Sequence, residues 1–304
     1  MNSLKLAAPL LAAFAFTPAP GSAAPILGQQ LSTYAVLGAS TVTNTGATTL
    51  TGNLGVSNNT SLTGITGFYG TLANDGPGTA SGSIDQGGAF ALAADEQLAM
   101  AKIGLGLLGP GTELTTDLSG LSLASGVYTV PAGMSNLTGT LTLDGGGNAN
   151  AFWVFQMAST LITSPGSMVN IINTGAGAGV YWNIGSSATL DSGTAFLGNI
   201  LASTDITINS GVTFGCGRAL AHTGAVTLIG SVIDAGDCSG TGAVGSKGLS
   251  GGLTMPEHGG IPTALPFSPV SAVPEPGPLS LFGAGLAVLF VLRKKWAASP
   301  VSEG

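Results

Sequence analysis

A short Thr-bearing strand pattern recurs through the second half of the chain at a nearly constant spacing. In each copy polar and apolar residues alternate, which is the period of a strand with one buried face. The four clearest copies cover residues 140–144, 188–191, 205–209 and 225–228. The central Thr189, Thr207 and Thr227 are separated by 18 and 20 residues. A fixed period near this length predicts a solenoid whose coils stack and align equivalent side chains in ranks.

The outward positions of these strands are rich in threonine. We expect one outward face to carry all of them together with the similar N-terminal segment, and the set is Thr41, Thr43, Thr140, Thr142, Thr189, Thr207 and Thr227. Such a face could contact a regular surface. The alternative is that Thr is simply a favourable outward strand residue.

A second column of large apolar residues supports a three-sided coil. Each member lies six residues before the first inner residue of its Thr-bearing strand, and the members are Phe155, Trp182, Ile200 and Leu220. We assign Trp153 and Trp182 to the core, since both alternate with apolar neighbours.

Composition excludes several function classes. The 304 residues have a net charge of −7 and only 7% charged residues, whereas 44% are hydrophobic. The chain therefore has enough apolar residues for a hydrophobic core. No basic patch can form in its body, because three of the seven Lys and Arg residues lie at positions 293–295. Nucleic acid is not expected as a partner.

One segment changes to a helical period. Apolar residues recur at intervals of three and four between residues 84 and 108, Ser83 and Gln86 form a candidate capping box, and Gly109 and Pro110 end the segment. We expect one long helix over about 84–108, packed alongside the solenoid because its apolar stripe must be buried.

The sequence contains no pattern typical of catalysis or metal binding. His222 and His258 have no acid or nucleophile at a sequence spacing that would indicate a catalytic pair, and neither a zinc nor a calcium motif is present. We therefore predict that the protein is not an enzyme and uses no metal or other cofactor.

Cys216 and Cys238 lie 22 residues apart, which is about one coil. Adjacent coils would bring them within bridging distance, so we predict a disulfide in an exported protein. The alternative is two buried free thiols.

Both ends of the chain carry features of export signals. Residues 6–16 are apolar after Lys5, and small residues follow up to Ala24, which predicts a signal peptide over 1–24 removed by signal peptidase. Residues 241–272 are rich in Gly, Ser and Pro and are expected to form a flexible linker.

The C-terminal tail, residues 273–304, begins with Val273, Pro274, Glu275 and Pro276. An apolar run over 279–292 and three basic residues follow. This order resembles the PEP-CTERM sorting signal of Gram-negative bacteria, which an exosortase recognises. The resemblance implies transient contact of 279–292 with the inner membrane, cleavage of the tail, and secretion or display at the cell surface; the alternative is a permanent anchor.

Eight sequence blocks, all in order, resemble one known family. They are residues 37–46, 52–56, 125–128, 137–144, 152–156, 185–190, 198–202 and 217–221. Together they are similar to the ice-binding domain of bacteria, fungi and algae. The resemblance implies a mainly β, right-handed triangular solenoid over 25–240 with one helix alongside and a coil supplied by the N-terminal segment.

The same resemblance implies that a flat face, here the Thr-rich one, binds the surface of an ice crystal. We expect the protein to act as a monomer. The alternative is a structural or adhesive component of the cell surface or exopolysaccharide matrix without affinity for ice.

Overall fold

A computed structural model describes residues 24–236, 238, 241–256 and 259–270. The strands before the helix are β1 (Ala24–Pro25), β2 (Tyr34–Gly38), β3 (Val42–Thr45), β4 (Thr49–Thr51), β5 (Asn53–Val56), β6 (Ile65–Thr66), β7 (Thr79–Ala80) and β8 (Ile84–Gln86). A 3-10 helix spans Leu31–Thr33, and the helix α1 spans Ala89–Leu107.

The strands after the helix begin with β9 (Thr112–Glu113), β10 (Ser122–Leu123), β11 (Gly126–Thr129), β12 (Thr140–Asn148), β13 (Phe152–Met157), β14 (Leu161–Ile162), β15 (Met168–Thr174) and β16 (Gly179–Ile184). They continue with β17 (Ala188–Leu190), β18 (Ala195–Ala202), β19 (Ile206–Ile208), β20 (Thr213–Ala221), β21 (Val226–Ile229), β22 (Val232–Asp234), β23 (Leu253–Met255) and β24 (Thr263–Ala264).

The strands form a solenoid with three faces. The covered face, which packs against α1, contains β9, β11, β13, β16, the second halves of β18 and β20, then β2, β5 and β8. The threonine face contains β14, β17, β19, β21, β3 and β6 in that order. The third face contains β10, β12, β15, the first halves of β18 and β20, then β22, β4 and β7. Pairing within the three faces is parallel, and the prediction of a β-solenoid is confirmed.

The N-terminal strands stack on the last coil of the chain. Strands β2, β3 and β4 pair with β20, β21 and β22, one on each face. Strands β5 to β8 then continue the stack beyond them. The solenoid is therefore discontinuous in sequence, as the resemblance implies.

Aromatic side chains stack through the interior from coil to coil. Ring centroids are 6.0 Å apart for Tyr128 and Phe155, and 4.0 Å apart for Phe155 and Trp182. Phe196 extends the stack, with its ring centroid 5.0 Å from that of Trp182, and Phe214 follows at 5.2 Å from Phe196. Tyr128, Phe155 and Trp182 are aligned in the ladder, as are Phe196 and Phe214, so these rings contact their counterparts one strand spacing away. Trp182 and Phe196 meet across the interior from different faces.

The predicted inner column is wrong at Leu220. The ladder pairs Ile200 with Ala219, whereas Leu220 lies beside Leu201 and packs under α1. This coil is longer because it holds one extra residue at a bulge opposite Phe196 and another at the corner before β21. The extra corner residue lies between Ala219 and Val226 and lengthens that offset by one position, whereas the bulge lies before Ala219 and does not affect it.

The helix begins later than predicted, at Ala89, because residues 84–86 form a strand of the covered face. The expected capping box is also wrong. The backbone N–H of Ala91 instead donates to Oδ2 of Asp85 at 2.7 Å, which satisfies a free donor in the first turn. The helix buries Ala94, Leu98 and Leu105 on the covered face.

Residues 241–270 are not a free linker. Ala243, Leu249 and Leu253 are buried, and β23 pairs with both β1 and β24. The backbone N–H of Ala149 donates to the carbonyl of Ser268 at 2.6 Å, so the segment packs on the solenoid almost to its described end. The compact body extends to Pro269.

A disulfide joins Cys216 and Cys238, whose Cα atoms are 5.0 Å apart, and this prediction is confirmed. Arg218 lies nearby and is 1% exposed. Its guanidinium donates to the carbonyl oxygens of Ser32, Ala235, Lys247 and Gly248 and to Oδ1 of Asn199. It thereby links the N-terminal segment, the coil and the segment after the disulfide.

Other predictions fall on parts of the chain that the structure does not describe. These are the signal peptide up to residue 23, the motif from Val273 to Pro276, the run 279–292, and His258. Among the described residues, no helix is long and apolar enough to cross a membrane.

Candidate binding surface

The threonine face carries an outward rank in which five consecutive positions are Thr. The ladder aligns the side chains in the order Ile162, Thr189, Thr207, Thr227, Thr43 and Thr66. Their inner neighbours are apolar and buried, as strand alternation requires, and are Leu161, Ala188, Ile206, Val226, Val42 and Ile65. Four of the predicted residues are thus brought together, and their role in binding stays a prediction.

Thr66 is a member of this rank that sequence reasoning missed. It belongs to a strand of only two residues, Ile65 and Thr66, which is too short to show alternation. No sequence signal identifies it, because only the pairing of Thr43 with Thr66 reveals that another coil stacks beyond Thr43.

The hydroxyl groups of this rank point to solvent. Within the described part of the chain, no protein group is hydrogen-bonded to the side chains of Thr43, Thr66, Thr189, Thr207 or Thr227. By contrast, the hydroxyls of Thr163 and Thr194 lie inside the coil and bond to each other at 3.0 Å. The hydroxyls of this outward rank are therefore free to order water.

Two flanking positions carry polar groups that are tied to the protein. Oδ1 of Asp205 accepts a hydrogen bond from the backbone N–H of Ala225 at 2.8 Å. Nδ2 of Asn209 donates to Oδ1 of Asp191 at 3.2 Å. Thr41, two residues before Thr43, lies on the same flank as Asp205. The carboxylates thus border the threonine rank without interrupting it.

The expectation that Thr140 and Thr142 share this face is wrong. Both lie in β12 on the third face, where they pair with Met168 and Asn170. Thr142 is aligned with Asn170 in the next coil, and the chain then passes through β16 of the covered face before it reaches Thr189, so the two strands occupy different sides. The similarity of the two Thr-rich patterns conceals this difference.

The third face has an outward rank of its own, which is mixed in composition. In ladder order it contains Thr140, Met168, Ala195, Thr213, Val232, Thr49 and Thr79. Met168 and Val232 are 44% and 47% exposed. No ionisable residue lies in the rank, but apolar residues interrupt the threonines.

The remaining ionisable groups support the scaffold. Nδ1 of His222 lies 2.9 Å from Oδ1 of Asp95, and the 127 residues between them leave no local pattern that predicts the pair. Burial raises the pKa of the Asp95 carboxyl, although the hydrogen bond from His222 opposes this shift. Burial also lowers the pKa of Lys102 to about 8. Its Nζ donates to the carbonyls of Ile184 and Leu201, at 2.8 and 2.7 Å.

These features define a candidate binding surface on a β-solenoid rather than an enclosed site. The sequence profile of the ice-binding-like family matches residues 36–234, and the chain belongs to that family. A protein of Nostoc sp. (strain HG1) named "Ice-binding protein" is 39% identical over 268 residues, which cover 87% of this chain and 86% of that protein.

Solved structures agree with this membership. An ice-binding protein from the Antarctic ascomycete Antarctomyces psychrotrophicus has a TM-score of 0.62 at 30% identity, covering 70% of this chain and 98% of that one. An ice-binding protein from an Antarctic biological consortium has a TM-score of 0.61 at 34% identity, covering 72% of this chain and 95% of that one. The prediction that the chain is not an enzyme agrees with this family.

The tail is also matched. The PEP-CTERM protein-sorting motif covers residues 272–295, which confirms the resemblance seen in the sequence.

Proposed function

We propose that this protein adsorbs to ice through the threonine face. The observation that carries the proposal is the uninterrupted rank from Thr189 to Thr66, five threonines on five stacked strands. Family membership supports the same function, since the relatives described above are named for binding ice.

The chemistry of Thr suits a crystal surface. Each side chain presents a methyl group and a hydroxyl on a stiff χ1 torsion, and stacked strands repeat them about every 4.8 Å. The methyl groups favour an ordered layer of water and the hydroxyls bond to it, so the layer can merge with the ice lattice. Because the solenoid is already rigid, docking orders few additional groups.

The sorting motif supports a location outside the cytoplasm. We propose that signal peptidase and an exosortase process the two ends of the chain, and that the monomeric body is secreted or held at the surface of a Gram-negative bacterium. In that place it would meet growing ice directly.

The test compares two matched variants for ice shaping and inhibition of ice recrystallisation. Thr207→Tyr places a bulky ring within the outward threonine rank, between Thr189 and Thr227, and Thr213→Tyr places the same ring on the third face. We expect Thr207→Tyr to lose most activity and Thr213→Tyr to keep it, with unchanged circular dichroism in both.

Three results would revise the proposal. A wild type without activity would support the matrix-component alternative, in which the scaffold is structural. Loss only in Thr213→Tyr would move the site to the third face, where Thr140 also lies. Equal activity in wild type and both variants would exclude both faces.

A further inference from the structure

The outer side of α1 is apolar, although it faces solvent. Leu92 is 46% exposed, Met100 56%, Ile103 66% and Leu107 50%. We call these four residues the outer stripe; Glu96 is the one charged residue between its ends on the same side of the helix. A surface helix normally turns polar residues outward, so a stripe like this marks a surface with a partner.

A cavity of about 400 Å³ opens beside the outer stripe. Met100 and Ile103 form one wall, and Pro25, Ile26 and Met255 form the opposite side. The apolar surface of the stripe therefore continues into a recess, which could accept an apolar group such as part of an acyl chain.

The course of the chain indicates what this surface meets. Met255 and Pro262 pack against the helix at Gly104, where a side chain would collide with Met255. The described chain then runs on to Pro269, which bridges Asn148 shortly before β13 of the covered face. The sorting motif begins three residues later, at 272, and its apolar run covers 279–292. Until the tail is cleaved, a short connection therefore joins the body, at the edge of the face that α1 covers, to a segment suited to lipid.

We propose that, in the tail-bearing protein, the outer stripe and the adjoining cavity dock on the surface of a lipid bilayer. The contact is apolar rather than electrostatic, because Lys102 turns inward to the carbonyls of Ile184 and Leu201 and offers no charge to headgroups. A contact of this size is weak alone, but the tethering tail raises its effective concentration at the membrane.

This docking would orient the molecule. The helix lies on the covered face, whereas the threonine face and the third face are the other two sides of the coil. A protein resting on its helix would therefore present both Thr-bearing faces away from the lipid. The inference goes beyond ice binding and does not depend on it.

The experiment uses the full chain on phosphatidylcholine vesicles, with an environment-sensitive fluorophore on a single added cysteine. Ile103→Cys reports from the outer stripe, and Thr49→Cys, exposed on the third face, is the matched control. The native cysteines stay in their disulfide. We expect vesicles to cause a several-fold rise and blue shift in emission at residue 103 and no change at residue 49. Adding Met100→Asp should abolish the rise while the tail keeps the protein on the vesicles.

Two results would overturn the proposal. One is a water-like signal at residue 103 in protein that floats with the vesicles. The other is a rise that appears without vesicles and grows with protein concentration, which would show that a second copy covers the stripe.

Discussion

The covered face and the threonine face are two sides of the same solenoid, but they differ in their outward side chains, as three adjacent coils show. On the covered face Leu201, Leu220 and Leu37 align in adjacent strands and are fully buried. A few residues further along the same coils, Thr207, Thr227 and Thr43 align in the same way and stay accessible.

This difference teaches that the backbone ladder does not decide what a face contacts. Each buried Leu contributes about 1.5–3 kcal/mol when it is removed from water, so a leucine rank favours coverage by α1. A threonine rank offers no comparable gain, because its hydroxyls keep their water. The choice of outward residue thus separates the face that stabilises the fold from the face available for binding.

The largest effect on stability is expected at Arg218, a buried cation on the covered side. Arg218→Met leaves carbonyl oxygens such as those of Ala235 and Gly248 without a donor. Each orphaned group costs about 1–3 kcal/mol, so we expect a loss of at least ~3 kcal/mol in the free energy of unfolding. Denaturant titration measures it, and Lys247→Met, at an exposed position, is the matched control. Equal stability of both variants would show that water replaces the guanidinium.

The next effect compares the two ranks directly. Leu220→Ala removes apolar contacts under α1 and should lower the free energy of unfolding by about 2–5 kcal/mol. Thr227→Ala, in the same coil, should change it by no more than about 0.5 kcal/mol. Thermal and denaturant unfolding of the two variants supply the comparison. Similar losses in both would mean that the threonine face is also part of the stabilising core.

A smaller effect concerns pH. Burial lowers the pKa of Lys102 in the folded protein to about 8, whereas an unfolded Lys titrates near its ordinary value of about 10.4. The unfolded chain therefore binds more protons between these values, and stability should rise with pH across this window. Lys102→Met should flatten the rise in unfolding free energy between about pH 8 and pH 10. An unchanged slope in the variant would assign the effect to other groups.

Much of the fold follows from the sequence because solenoid coils repeat. The 18- and 20-residue intervals place Thr189, Thr207 and Thr227 in one rank, and the spacing of Cys216 and Cys238 gives the disulfide. These features depend on local alternation and on one period, both of which are visible in a single chain.

The errors arise where a local pattern does not specify the side of the coil. Thr140 and Thr142 have the same pattern as the threonine face, but they lie on the third face of the coil. Leu220 is misplaced by one position because the longer corner before β21 adds a residue that alternation does not reveal.

The segment after residue 240 is misread for another reason. Its Gly-rich composition is typical of a linker, yet buried Leu249 and Leu253 and a short antiparallel pairing with β1 attach it to the body. Few apolar residues are needed here, because backbone hydrogen bonds to the solenoid supply much of the contact.

The most direct test of the account is a positional profile of ice affinity along the threonine rank. Tyr is placed singly at each of the five aligned positions and at Thr213, and the fraction of each protein taken into slowly growing ice is measured. The positions, in ladder order, are Thr189, Thr207, Thr227, Thr43 and Thr66. The account predicts the greatest loss at the central Thr227, smaller losses toward both ends, and none at Thr213. A flat profile, or a loss confined to Thr213, would contradict it.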